Sequence, residues 1–192
     1  QEEIVLELIK TYHLTQETIL HHMMFTDSFE ALFYKYLEGN EGTFNRKEHY
    51  GTYLFWAKKK DGKYREQLWK EGNYLKTEDG SFKVELTPEA IAKAIDNDEL
   101  IPSVFLVYTV LALYYGLILG GGPAQNKVLP TIKDRYVGML AEFGDTQSIE
   151  ACEDILPDFT LMSRSSLAFL DTPKGRVPAT GLDLLLYGQG EQ

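Results

Sequence analysis

Residues 50–86 read YGTYLFWAKKKDGKYREQLWKEGNYLKTEDGSFKVEL, and this stretch decides the fold. Three pairs that end in glycine, Asp61-Gly62, Glu71-Gly72 and Asp79-Gly80, separate aromatic and β-branched runs. Asp-Gly is a strong signal for a tight hairpin turn. Treating each pair as a two-residue loop predicts a four-stranded antiparallel meander, with strands over about 50–60, 63–70, 73–78 and 81–86.

The three loops also fix the register between the strands. The predicted cross-strand neighbours are Trp56 with Gln67, Leu68 with Leu75, and Leu75 with Val84. One face then collects apolar side chains and is the predicted core face: Phe55, Ala57, Leu68, Leu75, Phe82, Val84 and Leu86. The other face combines aromatic and basic side chains: Trp56, Trp69, Tyr74, Lys58, Lys60, Lys63, Arg65, Lys76 and Lys83.

Helical periodicity dominates on both sides of this stretch. Residues 1–40 are predicted to be helical, and the period returns after Thr87-Pro88 and continues over 88–155. Within that part, a long apolar helix over about 102–118 is expected at the centre of the core. Residues 156–192 form a mixed tail. The chain is therefore predicted to be a single α+β domain over 1–192, with a helical layer packed on the meander.

Composition excludes several classes of protein. The 192 residues carry 19 basic and 29 acidic side chains, a net charge of −10, which disfavours a double-stranded DNA binder. A 44% apolar content excludes general disorder, and one cysteine excludes a disulfide framework. The N-terminal residues do not resemble a targeting signal, so a soluble cytoplasmic protein is expected. Whether the chain is a fragment or a processed product is left open.

Leu100–Leu119 is the only stretch long enough to suggest a membrane span, because its twenty residues carry no formal charge. Pro102 and several tyrosines interrupt it, and no basic cluster flanks it. A buried helix is the favoured interpretation, and membrane association is not expected.

The glycine-rich segment after this helix has three interpretations. Its sequence, Leu117 to Gln125, resembles the phosphate-binding turn of dinucleotide-binding proteins, but Gln125 replaces the last glycine and the preceding run is helical. A helix end followed by a proline stop is the plainest interpretation. The functional interpretation is an anion-binding turn that uses Gly121, Gly122, Gln125 and Lys127.

The histidine and cysteine patterns indicate neither a metal site nor a cysteine nucleophile. The four histidines form no zinc-binding motif, so neither a metal nor a cofactor is predicted. Acidic neighbours disfavour a thiolate at Cys152, which is expected to be buried as a small apolar side chain. His49 is by elimination the candidate acid–base residue. Arginine suits the capture of carboxylate or phosphate, and the candidates are Arg46, Arg164 and Arg176.

Two functions are predicted from these patterns. The leading hypothesis is a protein that binds a small anionic metabolite, with general acid–base and electrostatic catalysis if it is an enzyme. The alternative is an interaction module, because residues 46–83 carry ten basic and six acidic side chains among exposed aromatics. Such a face can dock single-stranded RNA or a partner protein. A second copy of the chain could also cover it, so a homodimer is a further expectation.

Overall fold

The computed structural model describes residues 1–59, 64–119, 125–155, 169–172 and 175–178, with 125–127 and the last two ranges described by their backbone alone. The helices are α1 Glu2–Leu8, α2 Ile19–Phe25, α3 Asp27–Leu37, α4 Pro88–Asp96, α5 Val104–Tyr108, α6 Gln125–Phe143 and α7 Thr146–Glu153. The strands are β1 Phe55–Lys58, β2 Arg65–Gln67, β3 Trp69–Glu71, β4 Tyr74–Lys76, β5 Lys83–Glu85, β6 Leu100–Pro102, β7 Phe169–Thr172 and β8 Gly175–Pro178. The predicted α+β class is confirmed.

The predicted four-stranded meander is wrong, because its strands belong to two separate three-stranded antiparallel sheets. One sheet has the order β2-β1-β6 and the other β3-β4-β5. The break falls at Leu68, whose backbone N–H donates to the Thr52 hydroxyl at 2.9 Å and whose carbonyl accepts from it at 3.0 Å. The Thr52 side chain thus takes the N–H of Leu68 out of the ladder, while the carbonyl of Leu68 also accepts from the Tyr53 N–H at 3.1 Å.

Two of the three predicted registers are confirmed. Trp56 lies opposite Gln67, and Leu75 lies opposite Val84. The third is wrong, because Leu75 pairs with Lys70 instead of Leu68. The loop between β3 and β4 is Gly72-Asn73, with Gly72 at φ 57°, so the glycine occupies the first loop position. The Asp61-Gly62 turn lies outside the described residues.

The predicted core face is buried, with one partial exception. Phe82 is half-buried, whereas the others are buried in one hydrophobic core: Phe55, Ala57, Leu68, Leu75, Val84 and Leu86. Trp69, which was expected on the aromatic and basic face, is 1% exposed. It follows the break at Leu68 and packs against the ring of Phe44, with centroids 6.0 Å apart.

The predicted apolar helix over 102–118 is shorter than expected. Pro102 belongs to β6, an edge strand, where a missing N–H is tolerated. The helix begins at Val104 behind Ser103, whose hydroxyl accepts from the Leu106 N–H, and ends at Tyr114. Its interior is buried as predicted, but Ile118 lies beyond its end and is 81% exposed. Within the described ranges, we find no helix with the length and hydropathy needed to cross a membrane.

The remaining helices surround this segment. Thr87 caps α4 by accepting a hydrogen bond from the Ala90 N–H, and Pro88 occupies the first turn. Helices α3 and α6 pack closely at Gly138, where an added Cβ would lie 2.9 Å from the Tyr36 ring. In the predicted mixed tail, β7 and β8 form an antiparallel pair. The other tail residues, 156–168, 173–174 and 179–192, lie outside the described part of the chain.

A buried ammonium joins the second sheet to α3. The side chain of Lys70, on β3, is 3% exposed, and its Nζ lies 3.1 Å from Glu30 and 3.5 Å from Asp27. Both carboxylates remain in contact with water, whereas the ammonium does not. The desolvation cost of this ion pair therefore falls mainly on Lys70.

We predict a large loss of stability when the carboxylates of this ion pair are removed and a small change when the ammonium is removed. The double variant Asp27→Asn, Glu30→Gln leaves a buried unpaired ammonium and should lower the free energy of unfolding by about 3 kcal/mol. Lys70→Met removes the buried charge and should change it by less than about 1 kcal/mol. Urea denaturation at neutral pH measures both values. Equal losses in the two variants would contradict this assignment of the cost.

Candidate ligand-binding cleft

Two π-helical segments extend helices of this fold. Ile9–His13 continues α1, and the N–H of Leu14 donates to the carbonyl of Ile9 at 3.0 Å, five residues earlier. Thr109–Tyr114 continues α5, with the same spacing between the N–H of Tyr115 and the carbonyl of Val110 at 3.1 Å. Such segments are rare and occur frequently at functional sites.

The ends of both π-helical segments lie on one cleft of about 620 Å³. The beginnings of α2 and α7 complete its wall, and we call it the tyrosine cleft. It is lined by Tyr12, Gln16, Glu17, Thr18, Ile19, Leu113, Tyr114, Tyr136, Asp145, Gln147, Ser148 and Ala151. Most of these side chains carry a hydroxyl, amide or carboxylate group. A cleft of this size and polarity suits a small polar ligand.

His13 lies beside the tyrosine cleft and joins its two π-helical segments. The imidazole is fully buried, and its ring meets the Tyr114 ring edge to face with centroids 4.7 Å apart. Its Nδ1 lies 3.0 Å from the Thr18 hydroxyl, which also caps α2 by accepting from the His21 N–H. No described residue pairs with the buried Nε2. Burial lowers the pKa of His13 to about 4, so the ring is neutral at neutral pH.

Two tyrosine hydroxyls on the cleft wall are held in their protonated form. Burial, followed by the neighbouring Tyr12 hydroxyl, raises the pKa of Tyr114 to about 12. Tyr136 is 1% exposed, and burial first, then the nearby Cys152 and Asp145, raise its pKa well above the ordinary value. Among the described residues, none forms a hydrogen bond with the Tyr136 hydroxyl. The Tyr114 hydroxyl is thus engaged with Tyr12, whereas the protonated Tyr136 hydroxyl can donate to a ligand.

Asp145 fixes the beginning of α7 at the cleft. One carboxylate oxygen accepts from the Ser148 N–H at 2.9 Å, and the other accepts from the Ser148 hydroxyl at 2.7 Å. This is the standard N-terminal capping arrangement. It leaves the N–H groups of the first two α7 residues without intrahelical acceptors.

Cys152 lies under the second π-helical segment. It is buried as predicted, and its thiol contacts the Leu113 carbonyl at 3.7 Å. Burial is the main cause of its raised thiol pKa, which disfavours the thiolate.

The predicted site residues that can be located lie away from the tyrosine cleft. His49 is exposed, adopts φ 54°, and has its Nδ1 3.7 Å from Glu78. Arg46 pairs with Glu71 at 2.8 Å and lies over the Trp69 ring. The structure thus gives these two neighbours in sequence different acidic partners. Gly121, Gly122 and Arg164 lie outside the described residues, and only the backbone is described for Gln125, Lys127 and Arg176.

The residues of the predicted aromatic and basic face are divided between two sheets. Trp56 belongs to the first sheet and Tyr74 to the second, and both are half-buried. The Arg65 guanidinium lies 4.4 Å from the Trp56 ring centre, and the Lys83 ammonium lies 3.5 Å from that of Tyr74. These rings therefore already contact cations of the chain itself. Docking of RNA or a partner protein stays a prediction, now without Trp69.

Sequence reasoning missed the residues that form the cleft. His13 was only one of four histidines without a motif, and a π-helical segment has no sequence signature comparable to a cap. Asp145 with Ser148 three residues later was the one readable signal, because that spacing marks a helix start. Across the described ranges, no group of three metal-binding side chains is present. Comparison with protein families, curated proteins and solved structures gave no match to this chain.

The lowered pKa of His13 predicts a pH-dependent stability. Its folded-state pKa of about 4 lies below the ordinary value of 6.5, so the unfolded state binds the proton more readily. The stability that the neutral His13 ring contributes to the folded state is complete above pH 6.5 and is lost as the pH falls toward 4. Between pH 7 and pH 5 the loss should be about 2 kcal/mol.

Urea denaturation of wild type and His13→Phe at both pH values measures this contribution, since other groups titrate equally in both proteins. The free energy of unfolding of wild type, relative to that of His13→Phe, should fall by about 2 kcal/mol between pH 7 and pH 5. A difference that stays constant would show that His13 does not titrate as a buried neutral group.

Proposed function

We propose that the protein binds a small polar metabolite in the tyrosine cleft. The observation that carries the proposal is the convergence of two π-helical segments and the start of α7 on one largely polar cleft of about 620 Å³. Tyr136 on its wall supports the same conclusion, because its side chain is 1% exposed and lines the cleft, where its hydroxyl can hydrogen-bond to a ligand.

An anionic group on the metabolite is consistent with the start of α7. The N–H groups of Thr146 and Gln147 belong to the first helical turn and have no intrahelical acceptor. Amides at a helix N-terminus favour negative charge. The anionic metabolite predicted from the sequence thus stays a proposal, with the start of α7 in the binding role that was predicted for Gly121, Gly122, Gln125 and Lys127.

Binding has more support in the cleft than catalysis does. The Nε2 of His13 is buried below the surface and has no access to a ligand in this conformation. His49, the candidate acid–base residue, does not line the cleft. We therefore propose a binding function and assign no reaction to it.

A bulky residue at position 151 should abolish binding. Ala151 is exposed and lines the cleft, so Ala151→Trp fills space that a ligand would occupy. Glu150→Trp places the same side chain on the neighbouring exposed position of α7, outside the lining, and is the matched control. A thermal-shift screen of phosphorylated, carboxylated and amino-containing metabolites provides the readout.

The expected result is a metabolite that stabilises wild type and Glu150→Trp but not Ala151→Trp. Stabilisation of all three proteins by the same compounds would place binding elsewhere. A screen without any stabilising compound would also count against a metabolite-binding function.

A further inference from the structure

We infer that the ligand of the tyrosine cleft carries both an ammonium and a carboxylate group, as a free amino acid does. The inference rests on the proposed binding function and specifies its ligand. The ammonium would lie by the carboxylates of Asp145 and Glu17, and the carboxylate would meet the amides at the start of α7. The two ends of the ligand would therefore be recognised by opposite features of one cleft.

The side chains of the cleft favour a cation. Among the described residues that line it, Asp145 and Glu17 carry charge, and neither lysine nor arginine is present. Each oxygen of Asp145 accepts one hydrogen bond from Ser148, but a carboxylate oxygen has a second lone pair. An ammonium group can therefore bind Asp145 without displacing the cap of α7.

On α6, the side chain of Lys133 acts at the C-terminal end of α7. The Lys133 ammonium donates to the carbonyl of Ile155 at 2.6 Å and lies 3.4 Å from that of Glu153. It therefore stabilises the C-terminal end of the helix, where its charge is favourable. Among the described residues that line the cleft, no lysine or arginine neutralises the carboxylates of Asp145 and Glu17.

The start of α7, where Gln147 lines the cleft, offers backbone donors to an anion. Asp145 caps only the Ser148 N–H, so the first two amides of α7 remain for an acceptor from the ligand. A ligand with a single negative charge would be attracted by these amides but repelled by the two carboxylates. A ligand with both charges satisfies the amides and the carboxylates together.

The hydroxyl of Tyr136 is an independent indication that a polar ligand belongs here. The side chain is 1% exposed, lines the cleft, and has no hydrogen-bond partner among the described residues. Asp145 and Tyr114 line the same cleft. A carboxylate or amine of the ligand within reach would supply the missing partner.

Isothermal titration calorimetry can separate the two charges of the ligand. The twenty protein amino acids are titrated into the wild-type chain, and the tightest binder is compared with its N-acetyl derivative and its amide. The N-acetyl derivative keeps the carboxylate and loses the cation, whereas the amide keeps the cation and loses the carboxylate. We expect each derivative to bind at least about tenfold more weakly than the free amino acid.

Variants assign the ammonium to Asp145. Asp145→Asn keeps a side chain that caps helices well, so α7 should persist. It should weaken the free amino acid about tenfold and should not weaken the N-acetyl derivative, which has no cation to lose at Asp145. Glu150→Gln removes a negative charge from the same helix outside the cleft and should affect neither compound.

Three outcomes would overturn the inference. If the N-acetyl derivative binds as tightly as the free amino acid and Ala151→Trp abolishes both, the cleft is a binding site and its ligand needs no cation. If the amide binds as tightly as the free amino acid, the carboxylate is not recognised. If no amino acid binds while another metabolite gives a signal that Ala151→Trp removes, the inference fails and the proposed function stands.

Discussion

The contact between the rings of His13 and Tyr114 is the interaction on which the cleft depends. Each residue ends a π-helical segment, one after α1 and the other after α5. An extra residue in a helical turn rotates the next part of the chain by about 100° relative to a continued α-helix. The N-terminal part of the chain thus meets the central helix where the His13 and Tyr114 rings touch, and we call this contact the junction. The Thr18 hydroxyl, 3.0 Å from Nδ1, fixes the His13 ring there. The cleft forms where these elements and α7 meet.

The sequence predicted those parts of the fold that local turn chemistry determines. Pairing of Trp56 with Gln67 and of Leu75 with Val84 followed from the positions of glycine. The division into two sheets did not, because at the break the N–H of Leu68 donates to a side chain, the Thr52 hydroxyl, sixteen residues away. Strand β6 was predicted as the start of a helix, since a short apolar run has no periodicity that separates the two.

The candidate site was harder to predict than the fold, because its residues are distant in sequence and carry no motif. The sequence predicted the site in the glycine-rich segment, the arginines and His49. In the structure, Arg46 contacts Glu71 and His49 contacts Glu78, both in the sheet region. Thr18, Tyr114, Tyr136 and Asp145 each resemble an ordinary structural residue in the sequence. Their role becomes visible only in the tertiary structure, which places acidic side chains, two protonated phenols and the first turn of α7 around one cleft.

Nuclear magnetic resonance titration of the His13 imidazole tests most directly whether this junction is buried and neutral. The side-chain resonances of His13, assigned by comparison with His13→Phe, are followed from pH 8 to the onset of unfolding. We predict that they stay at the neutral-imidazole position through pH 5, because burial holds the pKa at about 4. A midpoint near the ordinary value of 6.5 would contradict the buried junction, and with it the construction of the cleft.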